Sequence, residues 1–149
     1  MLRDDINKAL TAAMKAKNER AVSTLRMVNS TLKNADIEVR STGKPLGDAE
    51  VLSILQKMIK QRQESVEMYK KGGRADLVKQ EEEEIAIIQG YLPKQMSEAD
   101  MAAAIDAAIA ETGAASMKDM GKVIGVLRGK YAGQMDMGKA SGLVKGKLQ

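Results

Sequence analysis

Three glycines, Gly121, Gly125 and Gly129, recur at every fourth position between Met117 and Tyr131, in a segment whose other residues read as an amphipathic helix. Each interior glycine costs a helix roughly 1 kcal/mol relative to alanine, so three on one face imply that something approaches the backbone closely. At about 100° per residue the glycines share that face with Lys118, Lys122 and Arg128, while Met120, Ile124, Leu127 and Tyr131 form an apolar stripe facing a core. Bare backbone ringed by cations suits a chain of phosphates. The competing reading is a neighbouring helix of the same chain packed against the glycines. The last segment, Met137 to Leu148, shows the same spacing in Gly138, Gly142 and Gly146 and adds Lys139, Lys145 and Lys147. Beyond that spacing, no longer internal repeat or low-complexity tract is read.

The charge distribution agrees with a polyanion at this end of the chain. Residues 93 to 115 hold one lysine against four acidic residues, a net charge of −3, whereas Ser116 to Gln149 holds seven Lys or Arg against two Asp, a net +5. The remaining 92 residues carry +2. A basic patch of this kind gains affinity for polyanions by releasing their counterions, and loses it as salt rises. With neither Cys nor His in 149 residues, disulfides, thiolate nucleophiles, imidazole bases and zinc sites of the usual ligand types are excluded. No cofactor is expected. The charged start MLRDDINK and the lack of any run near 18 apolar residues give no signal peptide and no membrane span, so the cytoplasm is the expected compartment.

Other candidate motifs carry less. Arg62 falls between Leu55, Ile59 and Val66 on an apolar helix face, and Glu81 and Glu84 fall between Leu77 and Ile88 on the next. A structural ion pair between two helices is the reading taken, because charges are seldom buried unpaired; a paired-carboxylate catalytic site is the alternative. Gly133 to Lys139 has the spacing of a phosphate-binding P-loop, but Ala140 stands where Ser or Thr would hold magnesium and no strand precedes it. Ser30 and Lys33 match a serine-lysine spacing mid-helix without companion motifs.

The elements that position these residues are all helical. Ile6, Ala9, Leu10, Ala13 and Met14 make one stripe, and Val22 to Val39 make a second. A third helix begins near Asp48 and stops at Gly72-Gly73, and a fourth ends near Tyr91-Leu92-Pro93. Ser97 with Asp100, and Ser116 with Asp119, read as capping devices for the two helices that follow. With three Tyr and no Phe or Trp, the core must be aliphatic, Ala and Met, and the eleven Met are read as gap-fillers within it. The expected architecture is all-α, with a four-helix N-terminal domain over residues 1–92 and a small three-helix tail domain over residues 93–149.

The stretches LVKQEEEEIAIIQGYLPKQMSEADM (Leu77 to Met101), KMIKQRQESVEMYKKGGRADL (Lys57 to Leu77), MGKVIG (Met120 to Gly125) and LVKGKL (Leu143 to Leu148) resemble the GatB/YqeY family over nearly the whole chain. Stand-alone members look like the C-terminal part of the GatB subunit of glutamine-dependent tRNA amidotransferases, and related segments are appended to some glutaminyl-tRNA synthetases. The resemblance implies a non-catalytic tRNA-binding module or accessory factor that holds tRNA near its elbow. Its tail helices would face RNA through Gly121, Lys122, Gly125 and Lys130, joined in this chain by Lys118, Arg128, Gly129, Lys139 and Lys145. An aminoacyl-tRNA synthetase or amidotransferase is the implied partner. A label of carbon-nitrogen ligase with glutamine as amido-N-donor would follow from family membership and not from any residue here. A helical protein adaptor and an accessory ligase subunit stay open as alternatives. The chain departs from the family at Gly133-Gln134-Met135-Asp136, where a GKAD-like turn is common, and so loses a lysine.

Overall fold

A computed structural model describes residues 1–149. The chain is all-α and divides into two compact units, Met1–Leu92 and Pro93–Gln149.

The first unit holds α1 (Leu2–Lys15), α2 (Glu19–Val39), α3 (Asp48–Lys71) and α4 (Ala75–Gln89). Local chemistry sets their ends. The Asn18 side chain accepts the Ala21 N–H to open α2, and the Glu50 carboxylate accepts the Gly47 N–H at the start of α3. The core gathers Ile6 from α1, Leu25, Val28 and Leu32 from α2, Val51, Leu55, Met58 and Ile59 from α3, and Ile88 from α4. Val51 and Met58 were absent from the apolar stripe read for α3, and Met14, placed in the α1 stripe, is half exposed. The α3 difference comes from phase, since a helix covered on two sides buries a wider arc than a single stripe predicts; Met14 lies in the last turn of α1, beyond the buried Ala13. A two-pronged ion pair, Arg3 Nη1 and Nη2 each 2.8 Å from an Asp36 oxygen, joins α1 to α2.

Arg62 lies buried on α3 against Glu84 of α4, with Nε 3.1 Å from the Glu84 carboxylate. Its Nη1 donates to the Met58 carbonyl, another nitrogen rests on the Met27 thioether, and the Gln80 amide donates to the second Glu84 oxygen. Glu81 stands outside this ion pair. Partial burial, and then the nearby Glu84 charge, raise its pKa above the ordinary carboxylate value.

The second unit holds α5 (Glu98–Thr112), α6 (Met120–Tyr131) and α7 (Met137–Leu148), with a 3-10 turn at Met117–Asp119. Ser97 caps α5 by accepting the Asp100 N–H, and Gly113 closes it at φ +68°, a left-handed turn that other residues adopt at a cost. The second capping device differs from expectation. Ser116 makes no side-chain cap bond, and Asp119 instead accepts the Ala115 N–H. The 3-10 turn takes up the residues that would have formed the first helical turn, so α6 starts at Met120 and Lys118 lies ahead of it.

Arg62→Ala should lower stability by about 3 kcal/mol or more, because it leaves the Glu84 carboxylate buried and unpaired. Replacing Arg62 with Met and Glu84 with Leu together should recover most of the loss. Urea melts of the two variants measure the asymmetry, and an unchanged midpoint for Arg62→Ala would contradict it.

Candidate nucleic-acid interface

The tail has a small aliphatic core: Met101, Ala104, Ile105 and Ala108 of α5, Val123 and Leu127 of α6, Met135, and Ala140, Val144 and Leu148 of α7. That core fixes which faces look outward. On α6 it is centred on Val123 and Leu127, with Met120, Ile124 and Tyr131 only partly buried, a rotation from the stripe read in the sequence. Two residues after each of these, about 200° around the helix, come Gly125 and Gly129, both exposed. On α7 the buried Ala140 and Val144 are likewise followed by the exposed Gly142 and Gly146.

A methyl group added at Gly121, Gly125, Gly129, Gly142 or Gly146 would meet no atom within 4 Å. No other helix of the tail packs on these glycines, so packing within the tail does not account for them. Gly138 differs, because an added Cβ would lie 3.2 Å from the Asp136 carboxylate that caps α7 through the Gly138 and Lys139 N–H groups.

The cations divide into two sets. Lys122, Arg128, Lys139 and Lys145 are exposed on α6 and α7, the nearest acid to any of them being Asp119, 4.0 Å from Lys122. Lys118 is exposed in the 3-10 turn. Lys130, by contrast, is 2.7 Å from Glu111 of α5, which raises its pKa, and Lys147 pairs with Asp106 of α5. Asp106 and Glu111 had been counted only as part of the acidic stretch. Their partners sit too far along the chain for sequence spacing to disclose.

With the helix boundaries fixed, a longer repeat emerges than the one read from glycine spacing. Asp119 to Tyr131 reads DMGKVIGVLRGKY and Asp136 to Leu148 reads DMGKASGLVKGKL, identical at seven of thirteen positions. The remaining positions mostly exchange like for like, Leu127 for Val144 and Arg128 for Lys145 among them. An insertion-free match over thirteen residues was obscured because Ile124 aligns with Ser141 and Tyr131 with Leu148, which changes the apolar pattern.

The departure at Gly133 to Asp136 has a structural role. Gly133 adopts φ +79°, the Gln134 carbonyl accepts the Met96 N–H at 2.9 Å, Met135 enters the core and Asp136 caps α7. Beside it an open groove is lined by Tyr131, Gln134, Lys94 and Asp100 over an alanine floor. No group of three or more acidic side chains is placed to hold a metal ion. No helix is long and apolar enough to cross a membrane.

Comparison with known proteins finds a family model, described as Yqey-like protein, matching residues 3–148. The chain is 37% identical over 113 residues to altered inheritance of mitochondria protein 41 of Eremothecium gossypii, covering 74% of this chain and 58% of that protein. It is 39% identical over 88 residues to the protein of that name from Lachancea thermotolerans, covering 59% of this chain and 46% of the relative. An uncharacterized protein of Schizosaccharomyces pombe is 33% identical over 93 residues, 62% of this chain and 72% of its own length. The matches span about half the length of the two mitochondrial-inheritance proteins.

Because the space over Gly125 and Gly142 is open, Gly125→Ala and Gly142→Ala should each stabilise the free protein by about 0.5 to 1 kcal/mol through helix propensity. Gly138→Ala should gain less, since the Asp136 cap must shift. Thermal melts of the three variants compare them, and destabilisation by Gly125→Ala would mean that the groove is filled in solution.

Proposed function

The chain belongs to the YqeY-like family, and from that premise we propose that it is a non-catalytic RNA-binding module whose RNA is tRNA. The observation that carries the proposal is the outward glycines of α6 and α7, which lie among the exposed cations Arg128, Lys139, Lys145 and Lys122, the last 4.0 Å from Asp119. On such a face the sugar-phosphate chain can come close to a backbone without side chains while its phosphates meet Lys or Arg, and contacts of this sort position RNA without reading its sequence. Selectivity for one tRNA would then come from a partner, for which an aminoacyl-tRNA synthetase or an amidotransferase is our proposal. The family resemblance to the C-terminal part of GatB supports tRNA as the ligand and an accessory role in amidotransfer. Two of the relatives, those of Eremothecium gossypii and Lachancea thermotolerans, are named as mitochondrial proteins, and a mitochondrial setting replaces the general cytoplasmic one in this proposal.

The adaptor reading draws on the same glycines, since a partner helix could lie in the open groove. The cations favour RNA: an apolar helix would leave them without counter-charge, and neither reading uses the Glu111 and Asp106 pairs.

Titration of labelled tRNA at several salt concentrations tests the proposal. Log affinity should fall with log salt at a slope of roughly −3 to −4 if Lys122, Arg128, Lys139 and Lys145 each meet a phosphate. Absence of binding at low salt, or a slope near zero, would remove RNA and favour a protein partner.

A further inference from the structure

We infer that the groove beside Tyr131 seats one unpaired base of the bound RNA, a base that offers N–H donors on its pairing edge. The inference rests on the RNA reading above and adds a base-binding contact to the phosphate contacts of α6 and α7.

The groove has a volume of about 480 Å³, within the range of small-molecule sites, and all of its lining residues belong to the tail. Its floor is Ala103, Ala104 and Ala107 of α5. Ala104 is part of the tail core, whereas Ala103 and Ala107 are exposed. Three methyl groups on neighbouring positions of a helix give an apolar bed with no long side chain across it. Hydrogen bonds fix one wall. The Gln95 amide donates to the Gly133 carbonyl at 2.6 Å and to the Pro93 carbonyl at 2.9 Å, and the Met96 N–H donates to the Gln134 carbonyl at 2.9 Å. These bonds strap residues 93–96 to the link between α6 and α7, so the groove is preformed.

The polar groups around this bed single out a base. Lys94, Asp100, Tyr131 and Gln134 line the groove, and their side chains make no hydrogen bond or ion pair within the chain. Asp106 and Glu111, on the same helix as Asp100, are by contrast taken up by Lys147 and Lys130. An ionised carboxylate only accepts hydrogen bonds and an ammonium only donates them. The fitting occupant therefore presents N–H donors to Asp100 and an anion to Lys94, on a flat apolar body that suits alanine methyls and a tyrosine ring. Guanine on a phosphate chain has all three parts, with two adjacent N–H donors on its pairing edge. Uracil offers one donor between two carbonyl oxygens, which a carboxylate repels. Unpaired bases hydrogen-bonded on that edge and packed against aromatics are the common form of sequence-specific RNA recognition.

Anisotropy titrations of the full chain against a labelled RNA duplex carrying one bulged guanine test the assignment. Duplexes with bulged inosine, with bulged uracil and with no bulge are the comparisons. The guanine RNA should bind about tenfold more tightly than the uracil RNA, with inosine between them. Asp100→Asn should bring guanine and inosine to within about twofold of each other, an effect that a structural role for Asp100 would not produce. Ala107→Leu fills the groove from an exposed helix position and should reduce the guanine RNA to the affinity of the uninterrupted duplex. Its salt slope should change by about one at most, the share of Lys94. Tyr131→Leu, which takes the residue of the matching repeat position, is the second variant if circular dichroism shows Ala107→Leu to be unfolded. Equal binding of all four RNAs, with no loss in the variants, would overturn the base site and leave the RNA reading standing. Guanosine monophosphate retained by a protein that binds none of the RNAs would overturn RNA as the source of the base. Retention of neither would overturn the proposed function and this inference together.

Discussion

Ten buried side chains hold α5, α6 and α7 together, and the properties of the outer surface follow from which positions that core claims. Val123, Leu127, Ala140, Val144 and Leu148 advance by fours along their helices, a spacing that keeps them on one narrow arc. A narrow buried arc leaves most of each helix facing water. The glycines and the outward cations occupy that remainder, and none of them is needed to close the core. A wide apolar face would have required larger side chains at some of these positions.

The arrangement carries an energetic cost that the core must offset. Interior glycines weaken a helix by roughly 1 kcal/mol each, and α6 and α7 are only 12 residues long, too short to persist without tertiary contacts. Three local devices support them: the Asp136 cap on α7, the lysine pairs to α5, and the backbone bond that ties Met96 to Gln134. The exposed lysine pairs contribute modestly, as surface ion pairs do; their larger effect is to orient the ends of two glycine-rich helices. The first unit solves a different problem. Its helices are longer, and Arg62 with Glu84 is its one closely bonded buried ion pair, which favours the register of α3 against α4 more than it adds stability.

The helical class and most boundaries were legible because the signals are local. Gly72-Gly73 and Ser97 act through backbone conformation and capping within a few residues. The phase of α6 was harder to read, since Val123 and Ile124 are both apolar and only packing against α5 and α7 selects the first for full burial. The start of α6 was misplaced for a similar reason: Ser116 and Asp119 have the spacing of a cap, but the 3-10 turn redirects Asp119 to the Ala115 N–H. Within the candidate interface, the glycine spacing and the excess of cations could be read directly. The separation of tethered from outward lysines could not, because Lys130 and Lys147 find partners 19 and 41 residues away. The thirteen-residue repeat lay in plain view, masked by substitutions at positions where the two helices meet different surroundings.

The central claim is that RNA lies on the glycine faces of both α6 and α7. Amide chemical-shift mapping during titration with tRNA tests it most directly, because glycine N–H signals report on the backbone itself. The account predicts that the amides of Gly121, Gly125, Gly129, Gly142 and Gly146 shift together at one affinity, while those of buried Val123 and Val144 move little. Shifts confined to α1–α4, or to the groove beside Tyr131 and Gln134, would contradict it.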